Sequence, residues 1–110
     1  MAATPEKKVK QRVVAQLKEL GAYYFYPTTG GFGSSGVPDI VCCYQGRFIG
    51  IECKAGKGKT TALQDKNLAA ISAADGIALV INEENVDNLT GIIHQWLDAF
   101  RLTSKKRTFV

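Results

Sequence analysis

The chain has 110 residues, which is enough for one folded domain and leaves little room for a second hydrophobic core. Hydrophobic residues make up 45% of it, which argues against a disordered chain, and no apolar run approaches the roughly 20 residues of a membrane span. The formal net charge of +4 is a mild bias toward polyanions such as nucleic acid.

The N-terminal segment has the pattern of a helix and not the apolar stretch of a secretion signal, which predicts an intracellular, cytoplasmic protein. Thr4 can cap this helix, Pro5 suits its first position, and Glu6 suits the positive end of the helix dipole. Gly21 is expected to end it. Apolar residues recur between them at helical spacing: Val9, Val13, Leu17 and Leu20.

Three strands are predicted next. Ala22 to Tyr26 is aromatic and favours a short strand, and Pro27 to Gly36 is a loop rich in Gly, Ser and Thr. Val37 to Tyr44 and Arg47 to Lys54 are predicted strands joined at Gln45-Gly46, where a glycine in second place indicates a tight hairpin.

The second half is predicted to contain two helices and one strand. After a basic loop at Ala55 to Lys59, Thr61 can cap a helix that runs to about Asp75. The fully apolar run Ile77 to Ile81 indicates a central strand, buried on both faces. A last helix is expected from near Val86 to Phe100. Its predicted core residues are Leu89, Ile93, Trp96, Leu97 and Phe100.

The order of these elements predicts an α/β layered domain with a mixed sheet over residues 1–102. Residues 103–110 are predicted to be a flexible basic tail. The three cysteines fit neither a closed disulfide framework nor zinc spacing, so Cys42, Cys43 and Cys53 are predicted to be buried thiols.

The hairpin is predicted to place two acids opposite each other. If Gln45-Gly46 is a two-residue turn, Tyr44 faces Arg47 and, counting back, Asp39 faces Glu52. Lys54 then projects from the same face, because side chains alternate along a strand. The opposite face would be apolar; a bulge at the turn would shift this register by one residue.

Two carboxylates about 5 Å apart across a sheet repel, so a positive charge should compensate them. Lys54 can do this in part, and Mg²⁺ or Mn²⁺ would do it better because these ions prefer oxygen ligands. The alternative is an exposed, salt-bridged strand face. Glu6 falls on the apolar stripe of the first helix, and Gln64 on that of the second. Each also has a local explanation, a helix-start acid for Glu6 and a capping box from Thr61 for Gln64.

Gly36-Val37-Pro38-Asp39, the hairpin and Glu52-Cys53-Lys54 together resemble the PD-(D/E)XK nuclease signature. With Glu6 on the leading helix and Gln64 early in the next, the chain resembles the VRR-NUC branch, in its stand-alone bacterial and phage form. The resemblance implies a restriction-endonuclease-like α-β-β-β-α-β core with an extra C-terminal helix. It covers roughly residues 5–81.

The resemblance also implies roles. Asp39 and Glu52 would bind Mg²⁺ or Mn²⁺, with the backbone carbonyl of Cys53 as a further ligand and Glu6 as an additional acid, directly or through water. Lys54 would orient and help deprotonate the attacking water, and Gln64 would steady the lysine or a phosphate.

One glycine-rich segment is weak as a nucleotide-binding motif. Residues 31–36 match Gly-x-Gly-x-x-Gly but lead into Val37 instead of a helix, so this loop, with Ser34 and Ser35, is either a DNA-proximal loop or a plain linker. Lys57 and Lys59 are predicted to contact DNA phosphates, the alternative being a solvated loop.

The predicted function is a Mg²⁺- or Mn²⁺-dependent endodeoxyribonuclease acting on branched DNA, such as four-way (Holliday) junctions, in DNA repair. The two-fold symmetry of such a junction makes a homodimer a reasonable hypothesis. The rivals are a non-catalytic DNA-binding module of the same fold and a subunit that cleaves only with a helicase or repair partner. No membrane association is expected.

Overall fold

The structure, a computed structural model, describes residues 3–28 and 36–103. Ser34, Ser35 and residues 104–110 of the predicted tail lie outside this part of the chain. Within it, no helix is both long enough and apolar enough to cross a membrane. The elements in chain order are α1 (Pro5–Leu20), β1 (Tyr23–Phe25), β2 (Ile40–Tyr44), β3 (Arg47–Cys53), α2 (Ala62–Ala73), β4 (Ile77–Ile81), a 3₁₀ turn (Val86–Asn88) and α3 (Leu89–Thr103).

Helix α1 begins and ends where the sequence predicts. The Thr4 hydroxyl accepts a hydrogen bond from the Lys7 backbone N–H at 3.2 Å, which satisfies one of the free donors of the first turn. Gly21 adopts the left-handed conformation (φ 75°) that closes the C-terminus. Val9, Val13 and Leu17 are buried, so the predicted stripe faces the core.

The four strands form one mixed sheet in the order β1-β2-β3-β4. β1, β2 and β3 are antiparallel, and β4 runs parallel to β3. Tyr44 pairs with Arg47 across the turn, so the predicted register is confirmed. Gln45 (φ 50°) and Gly46 (φ 79°) both have positive φ, as a two-residue type I′ turn requires.

The prediction that β4 is a central strand is wrong. β4 lies at the edge of the sheet beside β3, and Val80 is 40% exposed. Ile77, Leu79 and Ile81 are buried on the face toward the core, which accounts for most of the apolar run. The strand covered on both faces is β3, whose residues from Ile49 to Cys53 are all buried.

The main core lies between one face of the sheet and the helices α1 and α3. Its fully buried side chains include Leu17, Ile40, Ile49, Ile51, Ile77, Ile81, Leu89 and Ile93. Cys42 and Cys53 are part of it, and burial raises the pKa of each thiol to about 12, so both are unreactive.

Two predictions of burial are wrong. Cys43 is exposed because it points to the other face of β2, beside the exposed Phe48 of β3. Trp96 is 47% exposed, because the buried stripe of α3 runs through Leu89, Ile93 and Leu97 and leaves Trp96 at its margin, next to the Phe100 ring.

Helix α2 packs on the second face of the sheet, and Gly50 makes this close packing possible. A Cβ at Gly50 would lie 2.6 Å from Cδ1 of Ile71 and 3.0 Å from Cγ of Pro38. Pro38 is buried, so it rests against the β3 backbone at Gly50. This contact sets the position of the following residue, Asp39.

Gly36 holds the chain before Pro38 against α2, and its replacement by alanine should be destabilising. Gly36 has φ 88°, and a Cβ there would lie 2.7 Å from the backbone carbonyl carbon of Leu63. We expect Gly36→Ala to lower the free energy of unfolding by about 2 kcal/mol, measured by chemical denaturation. Gly21→Ala is the matched control, since Gly21 also has positive φ but no atom within 4 Å of such a Cβ. Equal losses in both variants would contradict the role given to Leu63.

Candidate active site

Asp39, Glu52 and Lys54 come together where β2 begins and β3 ends. Ile40 pairs with Ile51, so continuing the register places Asp39 opposite Glu52, as predicted. Oδ2 of Asp39 accepts a hydrogen bond from the Cys53 backbone N–H at 2.8 Å. The N–H and C=O of a strand residue leave the strand on the same side, so the Cys53 carbonyl also faces the Asp39 side.

Glu52 is the buried centre of this group. Its side chain is 3% exposed, and Oε2 lies 3.5 Å from Nζ of Lys54 and accepts a hydrogen bond from Nε2 of Gln64 at 3.1 Å. The other oxygen, Oε1, is buried and receives no donor from any residue that the structure describes. A buried carboxylate oxygen without a donor is costly, which makes Oε1 of Glu52 a candidate ligand atom for a cation.

The Glu52 carboxyl resists ionisation in this position. Its burial and, second, the charge of Asp39 together raise the pKa of Glu52 to about 7, whereas Lys54 opposes the rise. Near neutral pH, the Asp39-Glu52 pair therefore retains a proton for part of the time unless a cation replaces it.

Gln64 caps α2 and also contacts the candidate site, at Glu52 and not at Lys54. Its Oε1 accepts from the Thr61 backbone N–H (2.9 Å) and its own N–H donates to the Thr61 hydroxyl (3.2 Å), which completes the capping box of α2. Its Nε2 remains free to donate to Glu52, because an amide carries acceptor and donor on different atoms.

Lys10 of α1 is the site residue that the sequence reasoning missed. Its Nζ lies 3.7 Å from Oδ1 of Asp39, and its side chain is 32% exposed. Its position in the sequence could have indicated a place at the site, because it directly follows the buried Val9 and lies one helical turn beyond Glu6. Each acid of the pair therefore has its own lysine: Lys10 for Asp39 and Lys54 for Glu52.

The prediction that Glu6 points along the buried seam is wrong. It is exposed, because it lies in the first turn of α1, before the first buried residue, Val9. Among residues 3–28 and 36–103, no three His, Cys, Asp or Glu side chains are grouped as metal ligands, so Glu6 does not complete a cluster with Asp39 and Glu52. It is still near the site, since its charge contributes to the raised pKa of Cys53, which burial mainly causes.

The basic loop after β3 is held at one point. The Gly56 backbone N–H donates to both carboxylate oxygens of Glu83, at 2.9 and 3.1 Å. Lys57 and Lys59 are exposed in this loop, which agrees equally with phosphate contacts and with a solvated loop. Ser34 and Ser35 lie outside the described residues.

The donors at the site fit a hard divalent cation. The group offers two facing carboxylates and, on the Asp39 side, a backbone carbonyl. One carboxylate oxygen, Oε1 of Glu52, is buried without a donor among the described residues. Oxygen donors of this kind suit Mg²⁺ and Mn²⁺ and do not suit a thiophilic ion. The unreactive Cys53 thiol points away from them into the core.

The fold is an α-β-β-β-α-β core with a mixed four-stranded sheet and a further C-terminal helix. Among solved structures, one described as "VRR_NUC domain" is similar with a TM-score of 0.69 and 20% identity, covering 81% of this chain and 97% of that one. Another, "VRR_NUC domain protein", has a TM-score of 0.62 and 21% identity, covering 89% and 92%. No protein-family model and no curated protein matches the chain. The similarity confirms the predicted fold.

Proposed function

We propose that this protein is a metal-dependent endonuclease that hydrolyses phosphodiester bonds in DNA. The observation that supports it most is the buried Glu52 carboxylate, which faces Asp39, contacts Lys54 and has one oxygen without a donor among the described residues. Burying Glu52 opposite a second acid is costly, and binding a cation between the two acids would offset this cost.

In this proposal Asp39, Glu52 and the Cys53 carbonyl hold Mg²⁺ or Mn²⁺, and Glu6 contributes through water from its exposed position. The ion would supply positive charge to the phosphodiester and acidify a water molecule. Asp39 is kept in place by its hydrogen bond from the Cys53 N–H and by the packing of Pro38 on Gly50.

Lys54 orients the attacking water, helps to remove its proton and places positive charge beside the phosphate. Its ammonium group lies 3.5 Å from Glu52, and its side chain is only 14% exposed, which keeps it directed into the site. Gln64 steadies the Glu52 carboxylate through Nε2 and is itself held by the cap of α2. These contacts limit the motion of both groups before substrate binds.

The proposed substrate is branched DNA, such as a four-way junction, and the proposed setting is DNA repair in the cytoplasm of a bacterial or phage-infected cell. A single small domain offers little surface for reading base sequence, which favours recognition of DNA shape. Lys57 and Lys59, with Ser34 and Ser35, are proposed to contact the DNA backbone.

A homodimer is proposed because it would match the two-fold symmetry of a junction. A helicase or repair factor is proposed as a further partner.

This function is tested by DNA-cleavage assays in which a variant of the candidate site, Asp39→Asn, is the control. Purified protein is incubated with Mg²⁺ or Mn²⁺ and labelled four-way junction, flap, duplex or single-stranded DNA, beside Asp39→Asn. We expect the wild type to cut branched DNA best, and Asp39→Asn to cut at least about 100-fold more slowly because it lacks a charged metal ligand. Tight binding without cutting would support the non-catalytic module instead, and equal cutting by both proteins would reject this site.

A further inference from the structure

The ion pair between Lys10 and Asp39 joins α1 to the acid pair from outside the motif. Lys10 Nζ lies 3.7 Å from Asp39 Oδ1, and about a third of the lysine side chain is open to solvent. Lys54, by contrast, is largely covered and contacts Glu52. The two lysines therefore differ in partner, in element and in access to solvent.

We propose that Lys10 is a positioning residue that neutralises Asp39 in the metal-free protein and contacts a DNA phosphate once Asp39 binds a divalent cation. The inference rests on the proposed function. It assigns to Lys10 two successive partners, a carboxylate of the site and a phosphate of the substrate, and it makes Lys10 a competitor of the metal.

Competition follows from the geometry of Asp39. Oδ2 accepts a hydrogen bond from the Cys53 N–H, and the Lys10 ammonium lies 3.7 Å from Oδ1, where its charge opposes the approach of a cation. A partly exposed lysine-carboxylate pair is weak, and a divalent cation shared by two carboxylates can displace it. The displaced ammonium remains attached to a flexible four-carbon stem on α1, beside the site.

A phosphate is the natural next partner for this ammonium. Lysine is a compact cation that binds phosphate as a point charge and needs no fixed geometry. A DNA strand whose phosphate reaches Asp39 passes within reach of Lys10, because Lys10 Nζ lies 3.7 Å from Asp39 Oδ1 and its side chain is partly open to solvent. Its role would be to position the strand, and Lys54 would remain the residue that acts on the attacking water.

The metal-binding arm uses Mn²⁺ alone, measured by isothermal titration calorimetry without DNA. Lys10→Met should bind Mn²⁺ about threefold to tenfold more tightly than the wild type, since the competing charge is lost. Lys10→Arg should bind it like the wild type. Lys18→Met is the matched control, because Lys18 is exposed in the last turn of the same helix and its loss changes the net charge equally.

The DNA-binding arm uses fluorescence anisotropy with a labelled junction, Mg²⁺ present and Lys54→Met as a non-cleaving background. Adding Lys10→Met should make the slope of log affinity against log salt shallower by about 0.9, the loss of one phosphate contact. In EDTA, where Lys10 stays paired with Asp39, the same substitution should change the slope less. Adding Lys18→Met should leave the slope unchanged.

The proposal requires both arms. A Lys10→Met variant that is folded by circular dichroism and matches the wild type in Mn²⁺ affinity overturns it. An unchanged salt slope when Lys10→Met is added to the Lys54→Met background with Mg²⁺ overturns it as well. If that happens while the wild type still cuts DNA, only the role of Lys10 is rejected. If the wild type neither binds Mn²⁺ nor cuts any DNA, the proposed function fails and this inference fails with it.

Discussion

Replacing Lys54 with methionine is expected to slow DNA cleavage by about 10²- to 10⁴-fold without unfolding the protein. Methionine keeps most of the apolar stem that lies in the largely covered position of Lys54, but it removes the ammonium group next to Glu52. The measurement is the single-turnover rate on the best substrate of the panel, with circular dichroism as the check on folding.

Two further measurements identify the cause of the loss. Lys54→Met should bind Mn²⁺ at least as tightly as the wild type, because the substitution removes a positive charge from the site. If it does, loss of the metal does not explain the slow cleavage. Lys66→Met, on the exposed surface of α2, should retain the full rate. A Lys54→Met protein that cuts like the wild type would show that this lysine does not act in the reaction.

The metal-free protein should lose stability as pH rises because of Glu52. Its pKa is raised from 4.5 to about 7 in the folded state, mainly by burial. Between these two values the folded protein holds a proton that the unfolded chain has released, so the free energy of unfolding falls with increasing pH. The contribution of Glu52 to the free energy of unfolding is fully present below pH 4.5 and is lost as pH rises through 7. It amounts to about 1 to 3 kcal/mol.

Chemical denaturation in EDTA at several pH values, for the wild type and Glu52→Gln, measures this effect. The stability of the wild type relative to Glu52→Gln should fall between pH 5 and 8, because glutamine cannot ionise. Glu19→Gln, which removes an exposed acid from α1, controls for the loss of one charge. A constant difference between wild type and Glu52→Gln across this range would rule out the raised pKa.

Adding Mg²⁺ should reverse the trend, because a cation between the acids favours the ionised form and stabilises only the folded state. At pH 8 a saturating concentration should raise the midpoint of thermal unfolding of the wild type and leave that of Glu52→Gln nearly unchanged. Equal shifts in the two proteins would place the ion elsewhere.

The centre of the candidate site was predictable because its geometry is local. Gln45-Gly46 specifies a two-residue turn with positive φ at both positions, and a two-residue turn sets the pairing of every residue in the hairpin. Strand alternation then puts Asp39, Glu52 and Lys54 on one face. The cap at Thr4 and the capping box at Thr61 are likewise contacts within four residues of sequence.

The errors all concern how much surface a neighbouring element covers. The apolar run of β4 is consistent with a central or an edge strand. Among the described residues β4 pairs only with β3, which makes it an edge strand. Cysteine and tryptophan are often largely buried, yet Cys43 and Trp96 are exposed. Glu6 belongs to the right helical stripe, but α1 begins one turn before the core does.

The sequence by itself therefore determined the order of the helices and strands, the register of the hairpin and the identity of the acid pair with Lys54. The tertiary structure alone decided that Glu52 is buried with one oxygen that no described residue supplies with a donor, that Pro38 packs on Gly50, and that Lys10 contacts Asp39. Turns, caps and strand alternation depend on neighbours in sequence. Burial and the charges around a buried group depend on residues far apart in the chain, whose distances arise only when the helices pack on the sheet.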